Sequence, residues 1–226
     1  MLIMKDLTLI IPAKNEAESL PKVLKELNFF SVKKIIIIDK HDKETSKSIQ
    51  NFNCLVIKQK MNGYGSAIIE GIQRAKTKYI CIFNADGSFD PKYLKKMYLE
   101  LNKNNHFVFA SRYLKHGGSH DDTLLTFVGN KIFTLLGKIL FQLNLTDILF
   151  TYIMGNRNYF NKLKLKSNDF RLCVEIPIKI KRKKFKYTSI PSIERLRLGG
   201  KKKVNEFLDG FLILYSFFRY YLINND

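Results

Sequence analysis

The sequence is poor in cysteine, which excludes a fold built on a framework of disulfides. Its three cysteines, Cys54, Cys81 and Cys173, are odd in number and far apart along the chain. At least two of them lie in apolar, strand-like runs, which favours buried thiols in a reducing compartment over disulfides or a metal site. The N-terminus enters a predicted strand almost at once, with neither a charged leader nor a cleavage site, so we expect a cytoplasmic protein.

Acidic residues are also scarce, because 20 Asp and Glu stand against 39 Lys and Arg and give a net charge of +19. This balance predicts an anionic partner, and nucleic acid, membrane phospholipid and a phosphorylated substrate all qualify. The sequence holds no recognised nucleic-acid motif and no aromatic ladder on a predicted sheet, so we expect no nucleic acid partner. Scattered lysines are typical of solvated helix faces, but the runs at 181–184 and 201–203 lie beside the most apolar segments.

Internal repeats and low-complexity tracts are absent, and apolar runs alternate with helical segments. The runs at 7–11, 34–38, 79–83 and 107–110 are mainly apolar, as strands covered on both faces are. Short connections between them predict an α/β fold with a Rossmann-like, mostly parallel central sheet and helices on both faces. For a chain of 226 residues with 46% hydrophobic content, we expect a single domain over 1–226.

Two apolar segments in the second half of the chain are predicted to form amphipathic helices, at about 123–145 and 204–224. In the first, polar residues recur at spacings of three and four, namely Lys131, Thr134, Lys138 and Gln142. In the second, the polar residues near one side are Asp209, Ser216 and Arg219. The charges make both segments poor bilayer spans. Core helices and helices lying in a membrane interface are both consistent with this pattern.

The strand predicted at 79–83 is followed by a short polar turn, Asn84-Ala-Asp86-Gly-Ser88. In an open parallel sheet the ligand crevice lies at the carboxyl ends of the strands, so we expect Asp86 to face it. A carboxylate there suits a hard divalent cation that takes further oxygens from water and from a substrate diphosphate. Alternatively, Asp86 or Ser88 caps the helix that is predicted to begin near Pro91.

The order of five short motifs resembles the family 2 glycosyltransferases. The motifs lie at 10–16 (Ile-Ile-Pro-Ala-Lys-Asn-Glu), 38–39 (Ile-Asp), 63–67 (Gly-Tyr-Gly-Ser-Ala), 84–86 (Asn-Ala-Asp) and 110–113 (Ala-Ser-Arg-Tyr). Farther along, Pro191 and the stretch 197–203 resemble the dolichyl-phosphate mannose synthase branch. The resemblance implies the glycosyltransferase A fold and an inverting, metal-dependent hexosyltransferase whose donor is a nucleotide-diphosphate sugar, either GDP-mannose or a UDP-sugar.

The resemblance also implies a role for each site residue, with donor binding in 1–113 and acceptor binding in 114–226. It assigns the nucleotide sugar to Pro12, Ala13, Glu16, Asp39, Gly63, Gly65, Asn84 and Ala85, a Mg²⁺ or Mn²⁺ cofactor to Asp86 and Ser88, and catalysis to Asp86, Arg112, Asp147, Arg197 and Lys203. A cation at Asp86 would stabilise the charge that builds up on the departing nucleoside diphosphate. The three basic residues match family positions around the phosphates, which guanidinium groups suit well.

The sequence offers few candidates for a general base, and this indicates what kind of acceptor the protein uses. A hydroxyl acceptor needs a general base, whereas a lipid phosphate is already ionised near neutral pH and can attack directly. The four histidines, His41, His106, His116 and His120, lie outside the family base positions, which leaves Asp147 as the base candidate. We therefore expect a polyprenyl or dolichyl phosphate acceptor and peripheral binding to the cytoplasmic face of an anionic membrane, in cell-envelope glycan synthesis. A carbohydrate or lipid hydroxyl acceptor, with Asp147 as base, is the alternative.

Four positions depart from the family pattern. Asn84 replaces the first acid of the metal motif, and 40–41 follow Asp39 where relatives have a second acid and a Gly-Ser turn. The stretch 151–153 lacks the usual glycine and arginine, and Lys202 replaces a serine. These departures keep a further hypothesis open, that of a degenerate, non-catalytic module that binds nucleotide or membrane.

Overall fold

The computed structural model describes residues 3–199 and 206–223, and its centre is a seven-stranded sheet. The strands of the protein are β1 (Ile3–Ala13), β2 (Ser31–Ile38), β3 (Leu55–Lys58), β4 (Tyr79–Ile82), β5 (Phe107–Ser111), β6 (Gly118–Ser119), β7 (Ile153–Asn156), β8 (Tyr187–Pro191) and β9 (Ile193–Glu194). The order in the large sheet is β3-β2-β1-β4-β7-β5-β8, while β6 and β9 form a small parallel pair. Only β7 runs antiparallel to its neighbours in the described sheet, so the predicted mostly parallel α/β sheet is confirmed.

Helices cover both faces of this sheet, as the sequence predicts. They are α1 (Leu20–Leu27), α2 (Lys43–Ser48), α3 (Tyr64–Arg74), α4 (Tyr93–Asn102), α5 (Leu124–Phe141), α6 (Arg157–Leu163), α7 (Leu172–Arg182) and α8 (Glu206–Leu222). Residues of α1 and α4 pack on one face, with Leu9 and Ile11 of β1. Residues of α3, α6 and α7 pack on the other face, with Ile10. Successive residues of a buried strand point to opposite faces, so the run at 7–11 supplies both layers of the core.

Two strands that were not predicted, β7 and β8, come from the second half of the chain. Strand β7 lies between β4 and β5, and β8 pairs in parallel with β5. The two halves of the chain, 1–113 and 114–226, therefore both contribute strands to one sheet. The carboxyl ends of β1, β2 and β4 meet at a single edge, because these strands are parallel neighbours.

Helices α5, α7 and α8 enclose a third, smaller apolar cluster beside the sheet. Ile213 and Phe217 of α8 are buried there against Val174 of α7. The ring centroids of Phe133 on α5 and Phe217 are 6.0 Å apart with nearly parallel planes. This contact places α5 and α8 side by side at the boundary of the molecule.

Helix α5 is apolar on two sides: Phe133, Leu136 and Leu140 pack against the third cluster, while the opposite side is exposed. Its buried residues are Asn130 and Gly137, and the hydroxyl of Thr134 donates to Asn130 Oδ1 over 3.1 Å. The large side chains that it exposes are Leu124, Leu125, Phe127, Val128, Ile132, Leu135 and Ile139. Within the described residues, it is the one helix long and apolar enough to cross a membrane. Only 11% of its residues are buried inside the protein. Helix α5 therefore packs on the core with one side only and is not enclosed by the protein.

Candidate functional site

A cavity of about 620 Å³ opens at the carboxyl edge of β1, β2 and β4. Most of the residues predicted for the site line it, namely Pro12, Ala13, Glu16, Asp39, Gly63, Asn84, Ala85, Asp86, Arg112 and Arg197. Three others, Gly65, Ser88 and Asp147, lie behind this lining. The last predicted residue, Lys203, falls outside the described residues, as does the basic run at 201–203.

Asp39 directly follows β2 and lines the cavity at the carboxyl edge of the sheet. Its Oδ1 accepts from the backbone N–H of His41 over 3.0 Å, and its Oδ2 lies 3.0 Å from Nζ of Lys14. The His41 N–H and then the Lys14 ammonium lower the pKa of the Asp39 carboxyl. Although the family's Gly-Ser turn is missing, the local backbone thus still fixes an ionised carboxylate at this edge.

Glu16 is held by the first turn beyond β1 and by α2. Its backbone N–H donates to Oγ1 of Thr45 over 2.8 Å, and its Oε2 accepts from the hydroxyl of Ser19. Gln59 also lines this end of the cavity and donates from its side chain to the carbonyl of Gly63 over 2.6 Å. Sequence reasoning missed Gln59, because it follows a short strand, β3, and belongs to no motif.

The glycines of the third motif allow two backbone segments to approach closely. A Cβ at Gly63 would lie 2.1 Å from the carbonyl oxygen of Asn168, and one at Gly65 would lie 2.1 Å from that of Ser167. The N–H of Ser66 donates to the Asn168 carbonyl over 3.0 Å. Gly65 therefore packs beneath the segment that begins at Ser167 rather than facing the cavity. Between the two glycines, Tyr64 stacks on Phe170 with 4.7 Å between ring centroids.

The turn after β4 fixes one oxygen of Asp86 and leaves the other toward the cavity. Asp86 Oδ1 accepts from the N–H of Ser88 over 2.9 Å and from its hydroxyl over 2.7 Å. Asp86 Oδ2 lies 3.5 Å from Nη1 of Arg197. Ser88 is only 1% exposed, so its hydroxyl orients the carboxylate. Asn84 Nδ2 in turn donates to the Ser88 hydroxyl over 3.3 Å.

This donor set fits a divalent cation held largely by substrate. Within residues 3–199 and 206–223, no cluster of three or more His, Cys, Asp or Glu side chains could enclose an ion. Mg²⁺ is typically bound by one or two carboxylates together with water and substrate phosphates. Asp86 Oδ2 can supply the carboxylate, and the side-chain oxygen of Asn84 lies in the same cavity lining.

Arg112 is enclosed by carboxylates. Its Nε and Nη2 donate to Asp147 over 2.8 and 3.0 Å, and its Nη1 donates to Asp122 over 3.2 Å and to Glu194 over 3.0 Å. Burial opposes the charge on the guanidinium, but the charges of Asp147 and Glu194 and the hydrogen bonds to Asp147 together raise the pKa of Arg112 well above its usual value. Arg112 is therefore a fixed cation in the wall of the cavity.

Asp147 is fully engaged in holding that cation. Its Oδ2 accepts from Nε and from the backbone N–H of Arg112, and its Oδ1 accepts from Nη2 of Arg112 and from Nδ2 of Asn130 over 2.6 Å. The Asp147 side chain has no exposed surface. A general base must reach the acceptor. This geometry supports a positioning role for Asp147 and gives no support to its predicted role as base.

Three acids that line the cavity were not predicted: Asp121, Asp122 and Glu194. The small pair β6–β9 brings them together, because Ser119 at the end of β6 donates to Glu194 in β9 over 2.6 Å. Burial raises the pKa of the Glu194 carboxyl, against the opposing effect of Arg112. Strands of two residues leave no periodic signal, so sequence reasoning could not find this contact.

The end of the cavity beside α5, α7 and α8 is apolar. Leu149, Cys173 and Ile213 line it there and belong to the third apolar cluster. Thr126 and Asn130 of α5 lie on the same lining. Helices α5 and α8 therefore face the cavity with one side and solvent with the other.

Comparison with known proteins gives a family match. The model described as Glycosyl transferase family 2 matches residues 8–164. Glycosyltransferase AglJ of Haloferax volcanii is 22% identical over 222 residues, which cover 96% of this chain and 72% of AglJ. The uncharacterized glycosyltransferase Rv0539 of Mycobacterium tuberculosis is 30% identical over 105 residues, or 46% of this chain. That match spans about half the length of the relative, 48%.

Solved structures share the fold. Glucosyl-3-phosphoglycerate synthase from Mycobacterium tuberculosis, in complex with Mn²⁺, UDP and phosphoglyceric acid, gives a TM-score of 0.75 at 12% identity over 99% of this chain and 80% of that chain. The same enzyme with Mg²⁺ and UDP gives 0.75 at 11% identity, over 99% and 81% of the two chains. These likenesses confirm the predicted glycosyltransferase A fold.

Proposed function

Because the chain belongs to glycosyltransferase family 2, we propose that it is an inverting, divalent-cation-dependent hexosyltransferase of the dolichyl-phosphate mannose synthase-like branch. Its donor is a nucleotide-diphosphate sugar and its acceptor a polyprenyl phosphate. The observation that carries the proposal is the two-ended cavity, with Asp39 and Asp86 at the polar end and Leu149 and Ile213 at the apolar end. A nucleotide sugar fits the first end, and the start of a lipid chain fits the second.

Asp39 supplies recognition of the nucleoside. An ionised carboxylate accepts hydrogen bonds from ribose hydroxyls or from a base N–H. The lowered pKa keeps this acceptor charged throughout the neutral range. Guanine and uracil both carry a ring N–H, so a GDP-sugar and a UDP-sugar are both compatible with this contact.

Asp86 and Arg197 supply the contacts to the diphosphate. A Mg²⁺ or Mn²⁺ ion bound at Asp86 Oδ2 would neutralise charge on the leaving diphosphate. The related glucosyl-3-phosphoglycerate synthase is seen with UDP and either of these ions. Arg197 lies 3.5 Å from the same carboxylate oxygen and can turn its guanidinium to the phosphates. Lys203 stays a predicted third contact.

The hydrogen bonds that commit Asp147 to Arg112 favour a phosphate acceptor. An ionised phosphate oxygen forms the new bond to the anomeric carbon while the bond from that carbon to the diphosphate oxygen breaks, with inversion. No proton has to be removed from the acceptor. The reaction is thus compatible with a site in which Asp147 is committed to Arg112.

A second candidate function, transfer to a hydroxyl acceptor, is favoured by a different observation. Asp121, Asp122 and Glu194 line the cavity, and each is a carboxylate within the acceptor half. Any of them that reaches an acceptor hydroxyl could take its proton. The base would then be one of these acids instead of Asp147.

The lipid acceptor places the protein at the cytoplasmic face of a membrane, in synthesis of cell-envelope glycans. The exposed apolar sides of α5 and α8 support this localisation. Transfer and membrane attachment are separable properties, and they need separate tests.

A screen of donors and acceptors tests the function. Purified protein with Mn²⁺ is given GDP- and UDP-sugars, and release of nucleoside diphosphate is measured alone, with a short polyprenyl phosphate, with the matching polyprenol, and with a soluble glycan. We expect the phosphate, and not the polyprenol, to stimulate release at least tenfold. Equal stimulation by polyprenol would favour the hydroxyl candidate. Release that no acceptor stimulates would contradict transfer.

A further inference from the structure

The outward sides of α5 and α8 form an unusually apolar surface. On α5, Leu135 and Ile139 are 56% and 65% exposed, and on α8, Phe211 and Phe218 are 68% and 51% exposed. We call the exposed apolar side chains of these two helices the docking face. Folded monomers rarely leave contiguous apolar patches larger than a few hundred Å² in water, and larger ones mark interaction sites.

The charges around the docking face are mainly positive. Helix α5 contains no acidic residue and exposes Lys131 and Lys138. Helix α8 has its acids in the first turn, whereas Arg219 is exposed in its last turn. The carboxyl ends of both helices are thus apolar on one side and basic at the edge. This is the composition of helices that lie in the headgroup region of an anionic bilayer.

A basic depression of about 500 Å³ lies at the same end of the molecule. Its lining includes Lys181, Lys184, Lys186, Asn105, Asn144 and Tyr187. In the part of the chain that the structure describes, these three lysines form no ion pair, and no carboxylate joins this lining. Three ammonium groups with amide and phenol donors between them suit the oxygens of a phosphate ester.

Arg182 connects this depression to both helices. Its Nη2 donates to the carbonyls of Tyr220 and Ile223, and the guanidinium carbon lies 5.9 Å from the ring centroid of Phe141. These three residues belong to the carboxyl ends of α8 and α5 or directly follow them. The depression therefore borders the end of the docking face.

We propose that the docking face lies in an anionic phospholipid bilayer and that the basic depression binds the phosphate of one lipid headgroup. The inference rests on the proposed function, because a bilayer presents a polyprenyl phosphate at its surface. Helices α5 and α8 would then carry the apolar end of the cavity to the membrane, since Asn130 and Ile213 on their inner sides line it.

A second copy of the chain is a less suitable occupant of the docking face. Each copy carries a net charge of +19, so bringing two copies together is opposed by electrostatic repulsion. The same charge attracts the protein to anionic lipid. Polar contacts for a phosphate beside an apolar face also match a lipid, in which a charged headgroup adjoins hydrocarbon.

Flotation with vesicles tests the proposal on the full chain, without donor, acceptor or cation. The vesicles contain phosphatidylcholine with or without phosphatidylglycerol. The test variant carries Lys181→Gln, Lys184→Gln and Lys186→Gln. Its matched control carries Lys47→Gln, Lys95→Gln and Lys96→Gln, which remove the same charge from exposed positions on α2 and α4.

We expect binding to need phosphatidylglycerol and to weaken with salt. Each cation near an anionic surface contributes roughly fivefold to affinity, so the test variant should bind on the order of 100-fold more weakly than the control at low salt. Equal binding by the two variants would overturn the headgroup site. Binding of soluble glycerol phosphate in the depression would also overturn the headgroup site, if the substitutions leave vesicle binding unchanged.

A second pair of variants tests whether the docking face enters the bilayer. Leu135→Ser with Phe211→Ser removes two exposed side chains of the docking face, and Phe29→Ser with Leu99→Ser removes two exposed side chains elsewhere. Only the first pair should reduce flotation, by about tenfold or more. Unchanged flotation, or a dimer of the wild type that the first pair dissolves, would overturn the bilayer as occupant. Transfer to a detergent-solubilised acceptor without vesicle binding would leave the proposed function standing and remove this inference alone.

Discussion

Single residues were predictable where a motif coincides with the end of a strand. Asp86 lies in the short turn that follows β4, so its place at the ligand edge follows from the parallel sheet. The partners of Arg112 were not predictable, because Asp122 and Glu194 reach it through loops and two-residue strands. The basic residues of the motifs were found together with Asp86 and Asp147, whereas the other acids around them, Asp121, Asp122 and Glu194, were not.

Replacing Asp86 by Asn tests the cation site. The amide keeps an oxygen for the hydrogen bonds from Ser88 but loses the charge that attracts the ion. Loss of such an electrostatic group typically costs about 100-fold or more in rate. We expect that decrease in kcat of the proposed transfer at saturating Mn²⁺, with an unchanged thermal melt. Turnover near that of the wild type would rule out a cation at Asp86.

A divalent cation bound at Asp86 would compete with Arg197 for Oδ2 of that carboxylate. Arg197 also binds Oδ2 of Asp121 through its Nε over 3.0 Å. Arg197→Gln should therefore strengthen Mn²⁺ binding in the absence of nucleotide, by about fivefold for a partly exposed ion pair worth on the order of 1 kcal/mol. The same change should weaken binding of a nucleoside diphosphate. Free and bound Mn²⁺ can be measured by electron paramagnetic resonance.

Arg195 provides the matched control for this experiment. Its guanidinium binds the carbonyls of Gly87 and Phe89 and the carboxylate of Glu26. These contacts support the turn without touching the Asp86 carboxylate, so Arg195→Gln should leave the affinity for Mn²⁺ unchanged. Weaker or equal Mn²⁺ binding by Arg197→Gln would show that Arg197 does not compete with the ion.

Among the elements, buried strands were the most predictable. The runs at 34–38 and 79–83 are mainly apolar because both faces of the sheet are covered, and they were found as β2 and β4. Strand β7 was missed because its short run, 153–156, includes glycine and asparagine. For α5 the period was right but the orientation was left open, since periodicity does not say which side faces water.

The polar residue buried on the inner side of α5 predicts an unusual pair of mutational effects. Asn130→Leu removes one hydrogen bond to the buried Asp147 carboxylate, and loss of a hydrogen bond to a charged group costs about 1.5–3 kcal/mol. Ile132→Ser changes a side chain that is 53% exposed, so we expect less than about 0.5 kcal/mol. Denaturant unfolding in dilute buffer measures both. A larger loss for Ile132→Ser would place α5 in the core.

At the scale of the whole molecule, the net charge of the chain is positive, whereas the charge of the side chains around the cavity is negative. The chain carries +19, yet Asp86, Asp121, Asp122, Asp147 and Glu194 cluster around only two guanidinium groups, those of Arg112 and Arg197. Composition predicts the first property and cannot predict the second, because the fold brings these acids together from four separate segments of the sequence. A positive protein can therefore hold a site that repels phosphate.

This local excess of acid predicts that the diphosphate of the donor binds only together with a cation. Removing divalent ions with EDTA should weaken the affinity for GDP or UDP by about tenfold or more, because the carboxylates then face the phosphates unscreened. The affinity for the corresponding nucleoside should stay the same, since Asp39 and its partners lie at the other end of the polar region and bind no phosphate. Titration calorimetry with nucleoside and diphosphate, each with Mn²⁺ and with EDTA, separates the two contributions. Equal diphosphate affinity in EDTA would mean that the protein's own cations suffice, and an equal loss for the nucleoside would mean that the ion organises the whole cavity.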